Sequence, residues 1–466
     1  MTQKSTFNTI ILAAGKGTRM KSQLPKVAIK TLKGPMISSV IKAALDSVNP
    51  DNFIIVTGYK SDVVESVIRE DYQEAFSFNF ALQEQQLGTG HATQIAVNKY
   101  KDFFKNHGAT LILYGDTPLI SPIILSSFLE FHNSNQNNFS IITSLADKDS
   151  AYGKIVRDEN GNIEKIVEKK DCTPQQSSIT EVNSGIYLID NNFLLNSINL
   201  LNNSNAQNEF YLTDLVEIAT KNNIHVSPFK VTDDSVLQGV NSLMELSFIN
   251  KTIMKQKITE LLNNGVQILD PDTTYIEDSV NIEVGSIIGP NTQIFGTTSI
   301  GANTKIEGTS YILNSTVGSN CTIKFGTRIE DSKLMDSVSV GPFANLRPGS
   351  VLEEQVRIGN FVETKNAHLK KGAKANHLTY LGDAEIGEDS NIGAGTITCN
   401  YDGIRKSKTT LGKSVFIGSN SSLVAPLTIG DNSTIGAGSV ITKNVEENSL
   451  ALTRAELRTK KGYKRT

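Results

Sequence analysis

A loop of small residues and cations follows the first apolar run of the chain. Ile10–Leu12 leads into Ala13–Met20, a segment with two glycines, a lysine and an arginine. Small residues let backbone N–H groups approach an anion closely, and the cations add positive charge. The loop lacks the GxxxxGK(S/T) spacing of a Walker A motif, and Met20 stands where the dinucleotide fingerprint has its third glycine. Leu24-Pro25-Lys26 adds a rigid turn with another cation, so the segment predicts an anion-binding site.

Aliphatic residues recur at every sixth position through the C-terminal half. Six isoleucines stand at positions 282, 288, 294, 300, 306 and 312, and the pattern shifts once at Val317 before continuing to Ile441. A period of six fits neither a helix nor a single strand. It fits short parallel strands joined by turns, each sending one aliphatic side chain to a common axis. This half is therefore predicted to be a left-handed parallel β-helix of hexapeptide repeats, with one long interruption at residues 359–385.

Apolar runs alternate with helical patterns between residues 7 and 240. The runs are Ile10–Leu12, Phe53–Val56, Thr110–Tyr114, Ser140–Thr143 and Ser184–Ile189. This alternation predicts a Rossmann-like α/β domain with a mostly parallel sheet, whose ligands bind beyond the carboxyl ends of the strands. Spaced leucines and isoleucines then predict a connecting helix. The expected domains are 1–240, a linker at 241–265, and 266–466, the last ending in a basic tail.

The bulk composition indicates a soluble protein of a reducing compartment. The formal net charge of the 466 residues is −3, which gives no reason to expect nucleic acid or an acidic membrane surface as a partner. The three cysteines are far apart and form no CxxC pair, which argues against a zinc site or a disulfide framework. No signal-peptide pattern and no run of ~20 apolar residues is present. We expect a cytoplasmic protein without a membrane span.

The motifs of the first half resemble the signature of sugar-1-phosphate nucleotidylyltransferases. They are Leu12–Met20, Pro25-Lys26, Gln83, Gln86–Ala92, Tyr114–Leu119, Tyr152-Gly153, Val167-Glu168, Val182–Gly185 and Gly239–Asn241. With the hexapeptide half attached, the chain resembles from residue 7 to 454 the bacterial bifunctional N-acetylglucosamine-1-phosphate uridylyltransferase / glucosamine-1-phosphate N-acetyltransferase family. The resemblance implies acetylation of glucosamine-1-phosphate by acetyl-coenzyme A, then transfer of UMP from UTP to N-acetylglucosamine-1-phosphate with release of pyrophosphate. The product, UDP-N-acetylglucosamine, would supply peptidoglycan and lipopolysaccharide synthesis.

The resemblance places a magnesium ion and two cations at the nucleotide site. Asp116 and Asn241 would hold Mg²⁺, and oxygen ligands suit this hard cation. Arg19 and Lys26 would stabilise the charge of the transferred group. Transfer of this kind rests mainly on positioning and charge neutralisation, and it needs no covalent intermediate.

The resemblance also assigns the remaining contacts to the nucleotide and the sugar. Gln83 and the Gly88-Thr89 backbone would read uracil, whose edge offers a donor and carbonyl acceptors. Gly153, Glu168 and Asn183 would hold the N-acetylglucosamine moiety. The full set implied for UTP and UDP-N-acetylglucosamine is Leu12, Ala13, Gly15, Lys26, Gln83, Gly88, Thr89, Tyr114, Gly153, Glu168, Asn183 and Asn241.

The second half matches the acetyltransferase part of the same family. The matching segments are Leu346–Gly349, Gly359–Lys365, Ala375–Ala384, Asn391–Thr396 and Cys399–Gly403. Acetyl transfer to an amine needs a general base and donors for the thioester oxyanion. His377 is the expected base, because imidazole is near its titration midpoint at neutral pH. Glu363 would orient or charge-stabilise the imidazole.

The family pattern implies further substrate contacts in this half. The sugar phosphate would meet Arg347, Lys365, Tyr380, Asn391 and Lys406. The acetyl-coenzyme A site would comprise Ala394, Asn400, Tyr401, Ser419, Ala437 and Arg454, of which the adjacent Asn-Tyr pair also serves substrate binding and catalysis. Hexapeptide acyltransferases resemble one another in forming trimers with shared active sites, so a homotrimer is expected.

Two other interpretations stay open at this point. The chain could be a nucleotidylyltransferase whose solenoid serves only for oligomerisation, but an assembly module has no need of His377, Glu363 and Tyr380. It could also be a catalytically silent scaffold, as many solenoids are. The intact Lys26 and Asp116 in their motifs argue against that.

Overall fold

The chain forms two compact units. The computed structural model describes residues 6–48, 50–72, 76–105, 108–148, 150–232 and 237–464. The units are Met1–Ile253 and Met254–Thr466. Their division falls inside a helix, Leu243–Asn263, so the domain boundaries 240/241 and 265/266 stay predictions.

The first unit is an α/β fold around a nine-stranded sheet. Buried β-branched and aromatic residues fill its central strands, as in Phe53–Val56. The strands of this unit are β1 (Thr6–Leu12), β2 (Lys30–Thr31), β3 (Gly34–Pro35), β4 (Asn52–Thr57), β5 (Asn79–Leu82), β6 (Gly108–Tyr114), β7 (Phe139–Leu145), β8 (Lys154–Arg157), β9 (Ile163–Val167), β10 (Glu181–Asp190) and β11 (Val226–Val231). β2 and β3 form a separate antiparallel hairpin.

The sheet is mostly parallel, as predicted. Its order is β11-β7-β10-β6-β1-β4-β5, with β8 beside β10 and β9 beside β8. β1 pairs in parallel with β4 and β6, and β4 pairs in parallel with β5. β10 runs antiparallel to β6 and β7, which the sequence pattern did not foresee. The carboxyl ends of β1, β4, β5 and β6 therefore open at one edge.

Helices cover both faces of this sheet. Successive residues of β1 enter different cores: Ile10 and Leu12 belong to one buried cluster and Ile11 to another. The α-helices of the chain are α1 (Met36–Val48), α2 (Ser61–Tyr72), α3 (Thr89–Lys99), α4 (Pro122–Ser134), α5 (Pro174–Ser177), α6 (Asn191–Ser197), α7 (Asp214–Lys221) and α8 (Leu243–Asn263). Short 3-10 turns lie at Thr18–Met20, Lys26–Ala28, Lys101–Phe104, Lys169–Asp171 and Ile198–Leu200.

The second unit is a parallel β-helix of short strands. They are β12 (Gln267–Ile268), β13 (Tyr275–Ile276), β14 (Asn281–Ile282), β15 (Ile287–Ile288), β16 (Gln293–Phe295), β17 (Ser299–Ile300), β18 (Lys305–Ile306), β19 (Tyr311–Leu313), β20 (Thr316–Val317), β21 (Thr322–Ile323), β22 (Arg328–Glu330), β23 (Lys333–Leu334), β24 (Ser339–Val340), β25 (Asn345–Leu346), β26 (Val351–Leu352), β27 (Arg357–Asn360), β28 (Glu363–Leu369), β29 (Lys374–His377), β30 (Tyr380–Ile386), β31 (Asn391–Ile392), β32 (Ile397–Cys399), β33 (Thr409–Leu411), β34 (Phe416–Ile417), β35 (Ser422–Val424), β36 (Leu427–Ile429), β37 (Thr434–Ile435), β38 (Val440–Ile441) and β39 (Leu450–Ala451).

Each coil of the β-helix contributes three strands. β13 pairs with β16, β14 with β17 and β15 with β18, all in parallel, which gives three faces. The isoleucines of the six-residue pattern point inward and are almost fully buried, as at Ile288, Ile294 and Ile306. Ile300 pairs with Val317, so the shift in the pattern is a coil one residue shorter than its neighbour. An Ile→Ala change in such a column would cost roughly 2–5 kcal/mol.

The expected interruption at residues 359–385 was wrong, because the coils continue through it. Ile358 pairs with Ala375 and Ala375 with Ile392 in unbroken register. Small inward residues, Thr364 and Ala375, alternate there with the buried Leu369 and Leu381, which hides the six-residue spacing of large aliphatic residues. The actual insertion lies further along, since Ala384 pairs with Thr409. Residues 400–408 protrude as a loop closed by a bridge between Tyr401 and Lys406.

Helix α8 begins at an ordinary polar cap. The Ser242 hydroxyl accepts the N–H of Glu245 at 3.2 Å. Ile249 belongs to a buried cluster of the first unit and Ile258 to the core of the second. Leu243 is 59% exposed, so the apolar pattern of this helix starts later than the sequence suggested. No helix among the described residues is long and apolar enough to span a bilayer.

Candidate active sites

Parallel strands bring the predicted nucleotide residues to one edge of the first sheet. β1 ends at Leu12 and β6 at Tyr114, which are register partners. The Gly115 N–H donates to the Leu12 carbonyl at 2.9 Å. Gln83 directly follows β5, and its N–H donates to the Thr57 carbonyl at the end of β4 at 2.8 Å. The loops after four parallel strands therefore meet at one place.

A pocket of about 330 Å³ opens at this edge. That volume lies within the range of roughly 300–1,000 Å³ seen for ligand sites. The pocket is lined by Leu12, Ala13, Ala14, Gly15, Lys26, Val27, Gln83, Gln86, Gly88, Thr89, Ala92, Tyr114, Asp116, Glu209 and Asn241. Most of the residues predicted to meet the nucleotide are in this set. Arg19 is exposed in the preceding loop and is not part of the lining.

The Lys26 ammonium lies between two acceptor oxygens. It forms a salt bridge with Asp116 and donates to Oδ1 of Asn241 at 2.9 Å. The side chains of Lys26 and Asp116 are 13% and 15% exposed, so their attraction is screened less than at the surface. Gly17 permits this approach: its φ is 62°, and a Cβ there would lie 2.6 Å from Cβ of Lys26.

The oxygens of Asp116 and Asn241 fit a hard divalent cation. Both contact the one positive charge of Lys26, so they can face a single ion, and carboxylate and amide oxygens are suitable Mg²⁺ ligands. Backbone bonds hold them, since the Val240 N–H donates to the Asp116 carbonyl at 2.9 Å and Glu245 accepts the Asn241 N–H at 2.5 Å. The described residues hold no cluster of three or more His, Cys, Asp or Glu suited to a metal. Water and phosphate oxygens would complete the coordination.

The Gln83 amide is oriented by its neighbours. The residue is 3% exposed, and Nε2 donates to the Gly88 carbonyl and contacts Nδ1 of His91, both at 3.1 Å. Gly88 has a φ of 109°, which favours glycine, and a Cβ there would lie 2.5 Å from the Phe210 carbonyl oxygen. That carbonyl also accepts the Gly90 N–H at 2.8 Å. The segment around Phe210 therefore fixes the loop predicted to read uracil.

The three predicted sugar residues lie together next to Tyr114. The Gly153 carbonyl accepts the Asn183 N–H at 2.9 Å. A Cβ on Gly153 would lie 3.6 Å from the carboxyl carbon of Glu168. Gly185, with a φ of 82°, packs on the ring of Tyr114, and any side chain there would clash with it. Since Tyr114 lines the nucleotide pocket, this cluster adjoins that pocket.

Thr213 holds the carboxylate of Glu168, a contact that the sequence did not reveal. Its hydroxyl donates to Oε1 of Glu168 at 3.1 Å. Burial raises the pKa of Glu168 above its ordinary value, and the Thr213 hydrogen bond opposes that rise. The next residue, Asp214, has its pKa raised to about 6 by burial and by Glu217. Thr213 precedes α7, but its side chain makes no capping hydrogen bond to that helix, because the hydroxyl donates to Glu168 instead.

In the second unit, His377 contacts Asn360 and not Glu363. Nδ1 of His377 lies 2.9 Å from Oδ1 of Asn360. Oε1 of Glu363 accepts from the Arg347 guanidinium at 2.8 Å. The contacts described within this chain do not join Glu363 to the imidazole, so its role toward His377 stays a prediction. Asn360 lies against the imidazole because it is the register partner of His377 on the preceding coil.

Cations gather on the face that follows the His377 corner. The Arg347 N–H donates to the carbonyl of Thr364, the residue before Lys365, at 2.9 Å. Lys406 and then Arg347 lower the pKa of Lys365 below its ordinary value. Tyr380 begins β30 as the register partner of Glu363. Such a cluster of like charges favours an anionic ligand.

The remaining predicted sugar and catalytic residues have separate placements. Asn400 donates to Asp383 at 2.6 Å, beside this cationic face. Asn391 lies in β31, one coil beyond Lys374. Tyr401 is 60% exposed at the base of the inserted loop.

The predicted acetyl-coenzyme A residues form a column along one corner of the β-helix. The carbonyls of Ala394, Ser419 and Ala437 accept hydrogen bonds from the next coil at 2.7, 2.8 and 3.2 Å. The last donor is Nε of Arg454, while His377 stands one coil before Ala394. With strands ~4.8 Å apart, the column spans roughly 19 Å from the histidine to the arginine. Its small side chains leave room for an extended ligand.

A second histidine lies close by in a different setting. Nε2 of His368 is 2.8 Å from Oε1 of Glu353. It lines a cleft of about 460 Å³ with Asp383, Lys406 and Lys408. His368 therefore has a carboxylate partner, whereas His377 has an amide.

Comparison with known proteins assigns both units. The nucleotidyl transferase family model matches residues 8–233, and the bacterial transferase hexapeptide (six repeats) model matches residues 408–443. The bifunctional protein GlmU of Pelobacter propionicus is 44% identical over 98% of this chain and 97% of its own length. The chain belongs to the GlmU family. The GlmU proteins of Geotalea uraniireducens and Streptococcus mutans are each 43% identical, over 98% of this chain and 98% and 97% of their own lengths.

Membership of the GlmU family confirms the resemblance read from the motifs. It also confirms the fold class, a nucleotidyltransferase domain followed by hexapeptide repeats. Among solved structures, UDP-glucose pyrophosphorylase complexed with UDP-glucose covers 54% of this GlmU-family chain and 99% of its own, with a TM-score of 0.44 and 19% identity.

Proposed function

We propose that the chain makes UDP-N-acetylglucosamine by two reactions, one in each unit. It acetylates glucosamine-1-phosphate with acetyl-coenzyme A, and it then transfers UMP from UTP to N-acetylglucosamine-1-phosphate and releases pyrophosphate. One observation carries the proposal: two groups of functional residues, one around Lys26 and Asp116 and one around His377, each lie together in a single chain. The product would feed peptidoglycan and lipopolysaccharide synthesis.

In the uridylyl reaction, the chain positions two phosphates and neutralises their charge. Asp116 and Asn241 would hold Mg²⁺, which supplies charge neutralisation of the triphosphate when bound. An oxygen of the sugar phosphate attacks the α-phosphorus of UTP, and the bond to pyrophosphate breaks. Lys26 lies in the pocket to bind the phosphate oxygens, and Arg19 approaches from its exposed loop. This is a reaction of positioning and charge, without a covalent enzyme intermediate.

Specificity in this unit comes from buried polar groups. The oriented amide of Gln83 and the Gly88-Thr89 backbone read the edge of uracil. Gly153, Glu168 and Asn183 hold the sugar through its hydroxyl and acetamido groups. A site built to hydrogen-bond a ligand discriminates strongly, because the wrong ligand leaves buried polar groups unpaired.

In the acetyl reaction, His377 acts as general base. The amine nitrogen of glucosamine-1-phosphate attacks the thioester carbonyl, Nε2 of His377 accepts the amine proton, and coenzyme A leaves with the electrons of the C–S bond. Arg347, Lys365 and Lys406 bind the sugar phosphate. The column from Ala394 to Arg454 accommodates the extended acetyl-coenzyme A.

The acetyltransferase unit is proposed to work as a homotrimer in the cytoplasm. Phe325, Phe343, Phe361 and Leu378 are 46%, 47%, 57% and 62% exposed. Their aromatic rings form a ladder, with Phe343 and Phe361 stacked at 5.6 Å. An exposed apolar stripe of this kind marks a protein contact. It runs beside His377, so a neighbouring copy would help to close the site.

One pair of assays tests the proposal. Pyrophosphate release is measured with UTP, Mg²⁺ and N-acetylglucosamine-1-phosphate, and coenzyme A release with acetyl-coenzyme A and glucosamine-1-phosphate. Activity in both assays is expected. Pyrophosphate release alone would indicate a nucleotidylyltransferase with an assembly solenoid, and activity in neither would indicate a silent scaffold.

A further inference from the structure

We propose that Asn360 is the positioning residue of His377, and that its amide oxygen selects the imidazole tautomer whose Nε2 is free to accept a proton. The inference rests on the proposed acetyl transfer at His377. It names the group that prepares the base, a role for which Glu363 was expected.

The two side chains are brought together by the coil repeat. Asn360 and His377 are register partners on β27 and β29, and Oδ1 lies 2.9 Å from Nδ1. The residues that follow them, Phe361 and Leu378, have φ of 55° and 45°, so both chains turn the same corner. The Leu378 N–H also donates to the Asn360 carbonyl at 3.0 Å. Backbone and side-chain bonds thus fix the imidazole against the preceding coil.

An amide oxygen can only accept a hydrogen bond, so this contact places the proton on Nδ1. In a neutral imidazole the other nitrogen then carries the free lone pair. Among the described contacts, Nε2 of His377 has no hydrogen-bond partner, and the next coil presents Ala394 at this corner. Nε2 is therefore open to the amine of a bound substrate.

The neutral amide differs chemically from a carboxylate partner. A carboxylate would stabilise the imidazolium and keep the base protonated to higher pH. Glu363, the nearby candidate, is bound to Arg347. His368, by contrast, has Glu353 on its Nε2 at 2.8 Å, which blocks the nitrogen that a base would use. Of these two histidines, His368 has a carboxylate partner on Nε2, whereas His377 has an amide partner on Nδ1 and its Nε2 is free among the described contacts.

Kinetics of Asn360→Ala test the positioning role in the full-length protein. Loss of one ordinary hydrogen bond is expected to lower kcat of acetyl transfer by about 3- to 10-fold. The KM values of both acetyl-transfer substrates and the rate of uridylyl transfer should change little. Asn281→Ala removes an exposed amide from β14, distant in the coil order, and should leave both activities unchanged. An Asn360→Ala enzyme with the wild-type kcat would overturn the inference.

A charge-introducing variant separates positioning from mere structural support. Asn360→Asp can still accept from Nδ1, so it should recover activity at alkaline pH. Its negative charge favours the imidazolium, so the acid limb of the kcat–pH profile should move to higher pH. A profile that superimposes on that of the wild type would contradict the contact.

The tautomer itself is measurable by ¹⁵N NMR of histidine-labelled protein, with His377→Gln identifying the resonances. Protonation at Nδ1 is expected for the neutral imidazole, and the preference should weaken in Asn360→Ala. Protonation at Nε2 would overturn the inference.

If His377→Gln itself acetylates normally, the proposed function at this site fails. If that variant is inactive and Asn360→Ala is normal, the positioning role alone fails.

Discussion

Nζ of Lys26 lies 2.9 Å from Oδ1 of Asn241, and it also contacts the carboxylate of Asp116. A partly buried carboxylate without a nearby cation destabilises the folded protein. Removing one partner of a buried ion pair therefore costs more stability than the intact pair contributes. Lys26 therefore stabilises the Asp116 side chain within the protein. The same ammonium lines the pocket proposed to bind UTP, so we propose that the loop from Ala13 to Lys26 serves both stability and phosphate binding.

Asp116→Ala should abolish uridylyl transfer. Removing a group that organises charge at the transferred phosphoryl is expected to cost at least about 10²–10³-fold in kcat. Acetyl transfer should stay near normal, because Asp116 and His377 lie in different compact units. Pyrophosphate and coenzyme A release assays on the same preparation check both statements. Substantial Mg²⁺-dependent uridylyl transfer by a folded variant would remove Asp116 from the mechanism.

Thr213→Val should weaken binding of N-acetylglucosamine-1-phosphate. The change removes the donor to Glu168 while keeping side-chain volume, so KM for the sugar phosphate should rise about 10-fold at neutral pH. Burial already raises the pKa of Glu168, and Thr213 opposes that rise. As the pH falls through this raised pKa, Glu168 becomes protonated and its carboxylate no longer accepts a hydrogen bond from the sugar. KM for the sugar phosphate should therefore rise at acid pH. In Thr213→Val this rise in KM should begin at a higher pH.

The control for this change is Thr110→Val. Thr110 is buried and donates to Asn191 at 2.7 Å at the start of β6, away from the sugar cluster. Loss of this hydrogen bond should lower the stability of the protein without shifting the dependence of KM for the sugar phosphate on pH. Identical pH profiles for wild type and Thr213→Val would exclude the role of the hydroxyl.

His132 should make helix α4 and strand β7 sensitive to acid. The side chain is buried and contacts the Ser140 hydroxyl at 2.9 Å, and burial lowers the pKa of His132 from 6.5 to about 4. Between these values the unfolded chain binds the proton more readily. The stabilisation is therefore complete above pH 6.5 and is lost as the pH falls toward 4, by about 3 kcal/mol in all.

Amide hydrogen exchange in α4 and β7 measures this loss. After correction for the intrinsic effect of pH on amide exchange, the protection of these amides should fall between pH 7 and pH 5 in the wild type. In His132→Phe the protection should be lower overall, because Ser140 loses a partner, but its dependence on pH should flatten. An unchanged dependence on pH would assign the acid sensitivity to other groups.

The sequence predicted those parts of the fold in which one physical rule dominates. A column of isoleucines can be buried only along a common axis, so the coils from 282 to 312 followed from the spacing. The rule fails where small and large inward residues alternate. Thr364 and Ala375 take inward positions on either side of the buried Leu369, so the six-residue spacing of large aliphatic residues is broken although the coils continue. The inserted loop at 400–408 is polar and carries no such pattern.

Within the sites, motif residues were predicted and their partners were not. Asp116 and Asn241 stand in recognisable strings, and the sheet edge brings them together on Lys26. Thr213 and Asn360 have no local signal, because each acts on a residue that is distant in sequence. Thr213 lies 45 residues from Glu168 and Asn360 lies 17 from His377. The first contact depends on where the start of α7 lies beside the end of β9, and the second on the register between two coils, neither of which sequence spacing alone fixes.

Ala437→Phe should obstruct acetyl-coenzyme A while sparing uridylyl transfer. Ala437 is exposed and stands between Ser419 and Arg454 in the corner column, so a phenyl ring would occupy the space of the extended ligand. KM for acetyl-coenzyme A should rise about 10-fold or more, the effect of losing ~1.4 kcal/mol of binding. Ala302→Phe places the same ring on an earlier coil and should leave this KM unchanged. Equal effects of both changes would indicate general damage to the β-helix.

His377→Ala should cripple acetyl transfer and leave uridylyl transfer intact. The amine must lose a proton as it attacks the thioester, and loss of a general base typically costs about 10²–10⁴-fold in rate. His368→Ala is the matched control, since that histidine is paired with Glu353 and should cost far less. Both variants should still make UDP-N-acetylglucosamine from N-acetylglucosamine-1-phosphate and UTP. If His377→Ala acetylates at the wild-type rate across neutral pH, or if His368→Ala shows the larger loss, the base is assigned to the wrong residue.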